Sequence, residues 1–328
     1  MISLVTGGAG FIGSNLVDQL VAKGHKVIVL DNFATGRKSN LKHHSKKKVK
    51  IIKVDISKNK PLDKYFKKVK FVFHLAGLAD IVPSIEDPEK YFKSNVIGTF
   101  NVIKAASKVK INKFIYAASA SCYGIPKKFP TSEKDSINPM YPYAFTKWQG
   151  EQLVMHWANV YNLPAISLRF FNCYGPRSRT SGAYGAVFGV FLAQKLKKKP
   201  LTIVGNGKQT RDFIHVKDLT KAVIKAATSK KTKKIYNVAS GKEVSVNKIA
   251  NLIGGNKINI PKRPGEPSRS LAKIKKIKID LGWSPKININ EGVKDMLKNI
   301  KYWSNAPVWT PKKIRKATKL WFKILSKN

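Results

Sequence analysis

Six short apolar runs, near 2–6, 26–31, 49–54, 70–75, 112–118 and 164–169, punctuate the first half of the chain. Segments of helix length lie between them, and in several the apolar residues recur with helical period. Strands alternating with helices in this order predict an α/β fold built on a doubly wound parallel sheet. Ligands of such sheets bind at the carboxyl ends of the strands. Those ends carry a glycine-rich turn after the first run, then Asp31, Asp55-Ile56, His74-Leu75-Ala76-Gly77, Ser119, and Arg169 through Asn172.

After about residue 175 the pattern becomes irregular, with Gly, Pro and isolated Arg residues, as suits a smaller lobe closing over a substrate. The expected division is a nucleotide-binding domain over 1–175, a substrate-binding lobe over 176–304 and a C-terminal extension over 305–328. The lobe is expected to be partly interleaved, because Arg211 to Ala227 reads as a strand and helix returning toward the main sheet, within a segment 211–240.

The first strand runs into glycines at 7, 8, 10 and 13, and a helix is expected to start near Phe11. Such a turn lets the backbone approach a pyrophosphate, while the helix start offers unpaired N–H groups to the anion. Asp31 ends the next strand, where a carboxylate binds both ribose hydroxyls and repels a 2′-phosphate. NAD is therefore favoured over NADP in a Rossmann-type site, although Arg37 lies close by.

Composition changes this picture little. The 328 residues can bury a large core. Met1 leads directly into the first strand, and the apolar stretch Ala183 to Ala193 is too short to cross a bilayer, so a cytoplasmic protein is expected. Cys122 and Cys173 are too few for a disulfide framework or a zinc site, so no metal is expected. The net charge of +45 comes mostly from Lys scattered through every segment, which reads as solvated surface rather than a specific nucleic-acid face. Salt-sensitive sticking to polyanions is the expected consequence.

Tyr143 and Lys147 are one helical turn apart, so both emerge on one face of the helix that Trp148, Leu153, Val154, Trp157 and Val160 predict over 141–161. A phenol must lose roughly 3 pKa units, about 4 kcal/mol, to act as a base near neutrality. An ammonium ~4 Å away supplies about that much at an effective dielectric of ~20. Spacing alone does not separate a site from coincidence in so lysine-rich a chain. Tyr123 and Lys127 share it, although Gly124 and Pro126 break any helix between them.

From Met1 to about Tyr302 the chain resembles the extended short-chain dehydrogenases/reductases, in particular the nucleotide-sugar 4-epimerases. The resemblance rests on Gly7-x-x-Gly10-x-x-Gly13, Asp55-Ile56, His74 to Gly77, Asn95, Ser119 through Gly124, Tyr143-x-x-x-Lys147, Leu168 to Asn172, Gln209 to Phe213 and Arg263-Pro-Gly-Glu266. It implies Ser119, Tyr143 and Lys147 as the catalytic trio, acting on a sugar 4-hydroxyl with NAD as hydride acceptor and donor. The cofactor is expected against Gly7, Gly10, Phe11, Ile12, Gly13, Asp31, Asn32, Asp55, Ile56, Leu75, Ala76, Ala117, Tyr143, Lys147 and Phe170. The resemblance also implies that Asn172, Arg211 and Arg263 hold the nucleotide diphosphate and that Glu266 binds its ribose, beside Ser119 and Ser270 in the sugar pocket. A homodimer through helices 88–108 and 141–161 is implied as well.

Departures from relatives narrow the expected reaction. Sugar-nucleotide 4,6-dehydratases carry an Asp-Glu pair after the catalytic hydroxyl and UDP-glucuronate decarboxylases a Glu, whereas this chain has Ala120 and Ser121. Cys122 is one residue off the position used by GDP-mannose 3,5-epimerases and reads as a packing residue. By the same resemblance the small Ser270 leaves room for an N-acetyl group or, equally, for a uronic acid, and UDP-GlcNAc or UDP-glucose and their 4-epimers are the expected substrates. A UDP-uronate epimerase, a nucleotide-sugar reductase and a non-catalytic NAD-binding scaffold are the alternatives. In the extension, Thr310 and Pro311 predict a helix start, and Ile314, Ala317, Trp321, Ile324 and Leu325 form an apolar stripe among Lys and Arg. That stripe suits an anionic membrane surface, the protein body or a second subunit equally.

Overall fold

The computed structural model describes residues 1–58, 60–178 and 187–325. In chain order its elements are β1 (Ile2–Thr6), α1 (Phe11–Ala22), β2 (Lys26–Asp31), β3 (Val49–Lys53), β4 (Phe71–His74), α2 (Ile81–Glu86), α3 (Pro88–Phe92), α4 (Gly98–Ser107), β5 (Lys113–Ser119), α5 (Pro142–Val160), β6 (Ala165–Phe170) and β7 (Asn172–Tyr174). There follow α6 (Val187–Leu196), β8 (Leu201–Val204), β9 (Thr210–His215), α7 (Val216–Thr228), β10 (Lys234–Val238), β11 (Glu243–Ser245) and α8 (Val246–Ile253). The last are β12 (Lys257–Ile260), α9 (Lys275–Leu281), α10 (Ile289–Lys298), α11 (Pro311–Ala317) and α12 (Lys319–Leu325).

Seven parallel strands form the main sheet in the order β10-β6-β5-β4-β1-β2-β3. Both faces are covered, and the two-residue period of a strand sends alternate side chains into two cores. Along β5, Phe114, Tyr116 and Ala118 join the core beneath α4 and α5, while Ile115 and Ala117 join the one beneath α1 and α7. Strand order reverses between β1 and β4, the crevice where such sheets bind their ligands. A third core, around Tyr174, Phe188, Phe191, Ile249 and Trp303, organises the lobe with the sheets β11-β9-β7 and β12-β8.

Three expectations need correction. The strand in Arg211 to Ala227 does not return to the main sheet. β6 hands over to β7 after one residue, so β9 pairs with β7 and β11, and it is α7 and β10 that rejoin the main body. The segment 88–108 is not one regular α-helix, because Lys93–Ile97 forms a π-helical turn between α3 and α4. In the extension the expected single helix breaks at Thr318 into α11 and α12, and Ile314, Trp321 and Leu325 are buried against the body while Ile324 faces outward.

Residues 183–186 of the apolar stretch, and 326–328 of the extension, lie outside the described residues. Among the described residues no helix is long and apolar enough to cross a membrane.

Candidate active site

A cleft of about 600 Å³ opens at the carboxyl end of the main sheet. At its floor Gly7 sits at φ +68°, where an added Cβ would lie 2.8 Å from Ala76 Cα and strain the backbone. A Cβ on Gly13 would come within 2.1 Å of the Gly7 carbonyl oxygen. The N-cap of α1 is Gly10 and no side chain caps it, leaving the first N–H groups to a ligand. Asp31 is buried beside this turn and accepts the N–H groups of Ala9 (2.9 Å) and Phe33 (2.8 Å). Burial raises its pKa above the usual carboxylate range, against those two hydrogen bonds.

Burial also pushes Asp55 up, but hydrogen bonds from Ser57 and Asn32 outweigh it and hold that carboxyl below its ordinary value. Phe11, Ile12, Asn32, Asp55, Ile56, Leu75, Ala76, Ala117 and Phe170 all line the same cleft. The glycine cradle, the uncapped helix start and the inward carboxylate fit a dinucleotide. His74, although part of a strand-end motif, faces away from this cleft into the interior. It is fully buried between Thr6 Oγ1 (2.6 Å) and Thr99 Oγ1 (2.9 Å), and burial drives its pKa down to about 3.

Ser119 ends β5, and Tyr143 and Lys147 lie in the first turns of α5. Tyr143 Oη donates to Ser119 Oγ at 3.0 Å, and Ser119 Oγ also meets the Ser121 hydroxyl (2.8 Å) and backbone N–H (3.2 Å). Lys147 Nζ stands 4.4 Å above the Tyr116 ring. Burial drives Lys147 down to about 7, with Glu151 opposing, and pushes the Tyr143 phenol up, with Ser119 and Ser121 opposing. In the protein alone, burial opposes the charged form of both the phenol and the ammonium. The ammonium that would act on the phenol is desolvated, which weakens its hold on the proton.

At the other end, Asn172, Arg211, Glu266 and Ser270 line the cleft. Arg263 does not. It lines an adjoining cavity of about 210 Å³, which shares Asn172, Arg211 and Glu266 with the cleft. Arg211 Nη2 lies 3.1 Å from Glu266 Oε1, so two residues expected to act separately form an ion pair.

Several residues contribute in ways the sequence did not specify. Asn95, in the π-turn, accepts the Leu78 N–H and donates to the Leu78 carbonyl and Thr146 Oγ1, fixing the loop after β4. Buried Glu151 holds buried Arg169 at 2.6 Å, tying α5 to β6 directly behind the site. Trp321 of the extension lines the cleft, foreshadowed only by its place in the apolar stripe. Among the described residues one group, Asp18 with His43 and His44, has ligand atoms close enough for a metal, but Arg177 already takes the second Asp18 oxygen at 2.8 Å.

Residues 3–239 match the profile of the NAD dependent epimerase/dehydratase family. The chain is 33% identical over 318 residues to a UDP-glucose 4-epimerase of Mycolicibacterium smegmatis, covering 93% of this chain and 99% of that one. A solved UDP-N-acetylglucosamine 4-epimerase of Methanobrevibacter ruminantium M1, in complex with UDP-N-acetylmuramic acid, matches with TM-score 0.85 and 32% identity over 90% of this chain and 98% of its own. The UDP-glucuronic acid 4-epimerase of Bacillus cereus, solved with UDP-glucuronic acid and NAD, gives TM-score 0.85 and 31% identity over 92% and 99%.

Proposed function

The chain belongs to the NAD-dependent epimerase/dehydratase family and is an NAD-dependent nucleotide-sugar 4-epimerase, and we propose that Tyr143, Ser119 and Lys147 carry its reaction on UDP-GlcNAc or UDP-glucose. The observation that supports this reading is the 3.0 Å contact between Tyr143 Oη and Ser119 Oγ, set in the wall of the dinucleotide cleft. Bound NAD supplies the acceptor for the C4 hydride and returns it, so none is consumed. Tyr143 Oη takes the 4-hydroxyl proton as C4 is oxidised to the ketone and gives it back after the sugar has turned over. Ser119 Oγ, held by Ser121, orients the sugar hydroxyl. Phenolate formation is opposed by burial in the protein alone, so the base is expected to gain strength as pH rises.

Asp31 suits the ribose diol of NAD, and Arg211 with Asn172 suits the diphosphate. Arg269, the cationic side chain beside Ser270, is held bidentately by Glu243 (2.7 Å and 2.7 Å), which partly offsets the positive charge a uronate would seek and so supports a neutral sugar. Homodimerisation through the helical segments within 88–108 and 141–161 is supported by the exposed Phe92, Ile97, Phe145, Val160 and Tyr161, and sedimentation velocity tests it.

The test of the reaction is incubation with UDP-, dTDP-, CDP- and GDP-sugars and NMR of the products. Wild type is expected to equilibrate the C4 epimers of a UDP-sugar without net NAD turnover. Tyr143→Phe is expected to lose about 10²- to 10⁴-fold in kcat while still binding UDP. Stoichiometric consumption of NAD(P)H, or a variant within threefold of wild type, would overturn the assignment.

A further inference from the structure

The sequence resemblance ends near Tyr302, yet the chain continues onto the site. Trp309 and Ile314 line the 210 Å³ cavity together with Arg211, Arg263 and Glu266. Further along, Trp321 lines the main cleft near Ile81, Met140 and Gly265. The tail is fixed at both places. Gln194 Nε2 donates to the Trp309 carbonyl at 2.8 Å, and the Trp321 indole N–H donates to the Pro264 carbonyl at 2.7 Å. Trp321 and Leu325 pack on Ile81, Val82 and Ile85, and Leu325 also abuts Gly265. The segment therefore spans the loop that carries Arg263 and Glu266, touching the site on each side of it.

Resting on the reaction proposed above, the small cavity has the character of a nucleobase pocket. It adjoins the Arg211 and Asn172 end of the cleft, and its walls are mostly apolar, Phe188, Phe191 and Phe213 among them. We propose that residues 309–325 are a substrate-specificity element, in which Trp309 and Ile314 wall the base pocket and Trp321 walls the sugar end of the cleft. Affinity for each half of the nucleotide sugar is then set in part by one C-terminal segment. Lys312, Lys313, Arg315, Lys316, Lys319 and Lys323, with no acidic residue among 305–325, add an attractive field for a dianionic ligand.

The experiment compares full-length wild type, Trp309→Ala and Trp321→Ala by titration calorimetry with UDP, and by kcat and KM with UDP-GlcNAc and UDP-glucose. Trp309→Ala is expected to weaken UDP at least tenfold. Trp321→Ala is expected to leave the UDP Kd within threefold but raise KM at least tenfold. If an alanine variant fails to fold, Trp309→Phe and Trp321→Leu keep apolar packing and decide the same comparison. UDP Kd and KM within twofold of wild type in both variants would overturn the proposal while leaving the epimerase assignment intact. A wild type that binds UDP through Trp309 but turns over no UDP-sugar would instead sink the reaction and uphold the base-pocket half.

Discussion

Replacing Glu151 with Leu should show how the catalytic helix is held to the sheet. Glu151 and Arg169 are 1% and 3% exposed, and the carboxylate takes Arg169 Nη2 at 2.6 Å, Arg169 Nε at 3.1 Å and the Ser167 hydroxyl at 2.8 Å. Arg169 Nη1 also donates to Tyr123 Oη at 2.8 Å. Removing only the carboxylate leaves a buried guanidinium without a counter-ion, at a cost of about 3–5 kcal/mol. Arg169→Met strands the carboxylate and should cost about as much. The double variant leaves no buried charge, only weakened hydroxyl partners, for a loss of about 1–3 kcal/mol. It should therefore be more stable than either single variant, with a coupling of about 3 kcal/mol or more. Urea unfolding followed by circular dichroism and by tryptophan fluorescence, with m-values compared, measures all four corners. Additive losses, or a Glu151→Leu cost below ~1 kcal/mol, would refute the reasoning.

His74 should make the fold acid-sensitive. Its folded pKa of about 3 lies below the unfolded value of 6.5, so the unfolded chain binds the extra proton between those limits. The stability it contributes is complete above 6.5 and falls by ~1.4 kcal/mol per unit as pH drops toward 3. Between pH 6.5 and 5 that loss is about 2 kcal/mol, and His74→Gln should flatten it. Equal slopes in denaturation curves of the two proteins would exclude this origin. Gly13→Ala should reduce NAD affinity about 100-fold, the loss of one or two charged hydrogen bonds, because its Cβ would sit 2.1 Å from the Gly7 oxygen and displace the turn. Calorimetric titration with NAD checks this, and near-normal affinity would contradict the cradle.

The main sheet was legible because strands buried on both faces are continuous apolar runs, as in Leu4-Val5 and Phe114 to Ala118. The lobe was not, since β7 and β11 are three residues each and largely half-buried, and β9, though read as a strand, takes its partners from far along the chain. Helical spacing placed Tyr143 and Lys147 on one face, but it carries no information about desolvation, which moves both pKa values away from the expected arrangement. Nor could it reveal the Glu151 and Arg169 pair, which exists only once α5 lies on β6. Arg263 was grouped with Arg211 by motif, and the two do line one small cavity, but only Arg211 also reaches the main cleft. The break at Thr318 had no Pro or Gly to announce it.

If Arg211 takes the diphosphate as proposed, its ion pair with Glu266 turns substrate recognition into an exchange of counter-ions. Glu266 occupies Nη2 of the guanidinium at 3.1 Å, a contact for which a diphosphate would compete and a free hexose or nucleoside, bringing no charge, would not. On the proposed roles, the same displacement would free Glu266 to accept ribose hydroxyls, so that seating the phosphates and engaging the ribose would become one event. Unactivated sugars would then be disfavoured at the threshold, before the chemistry is ever tested.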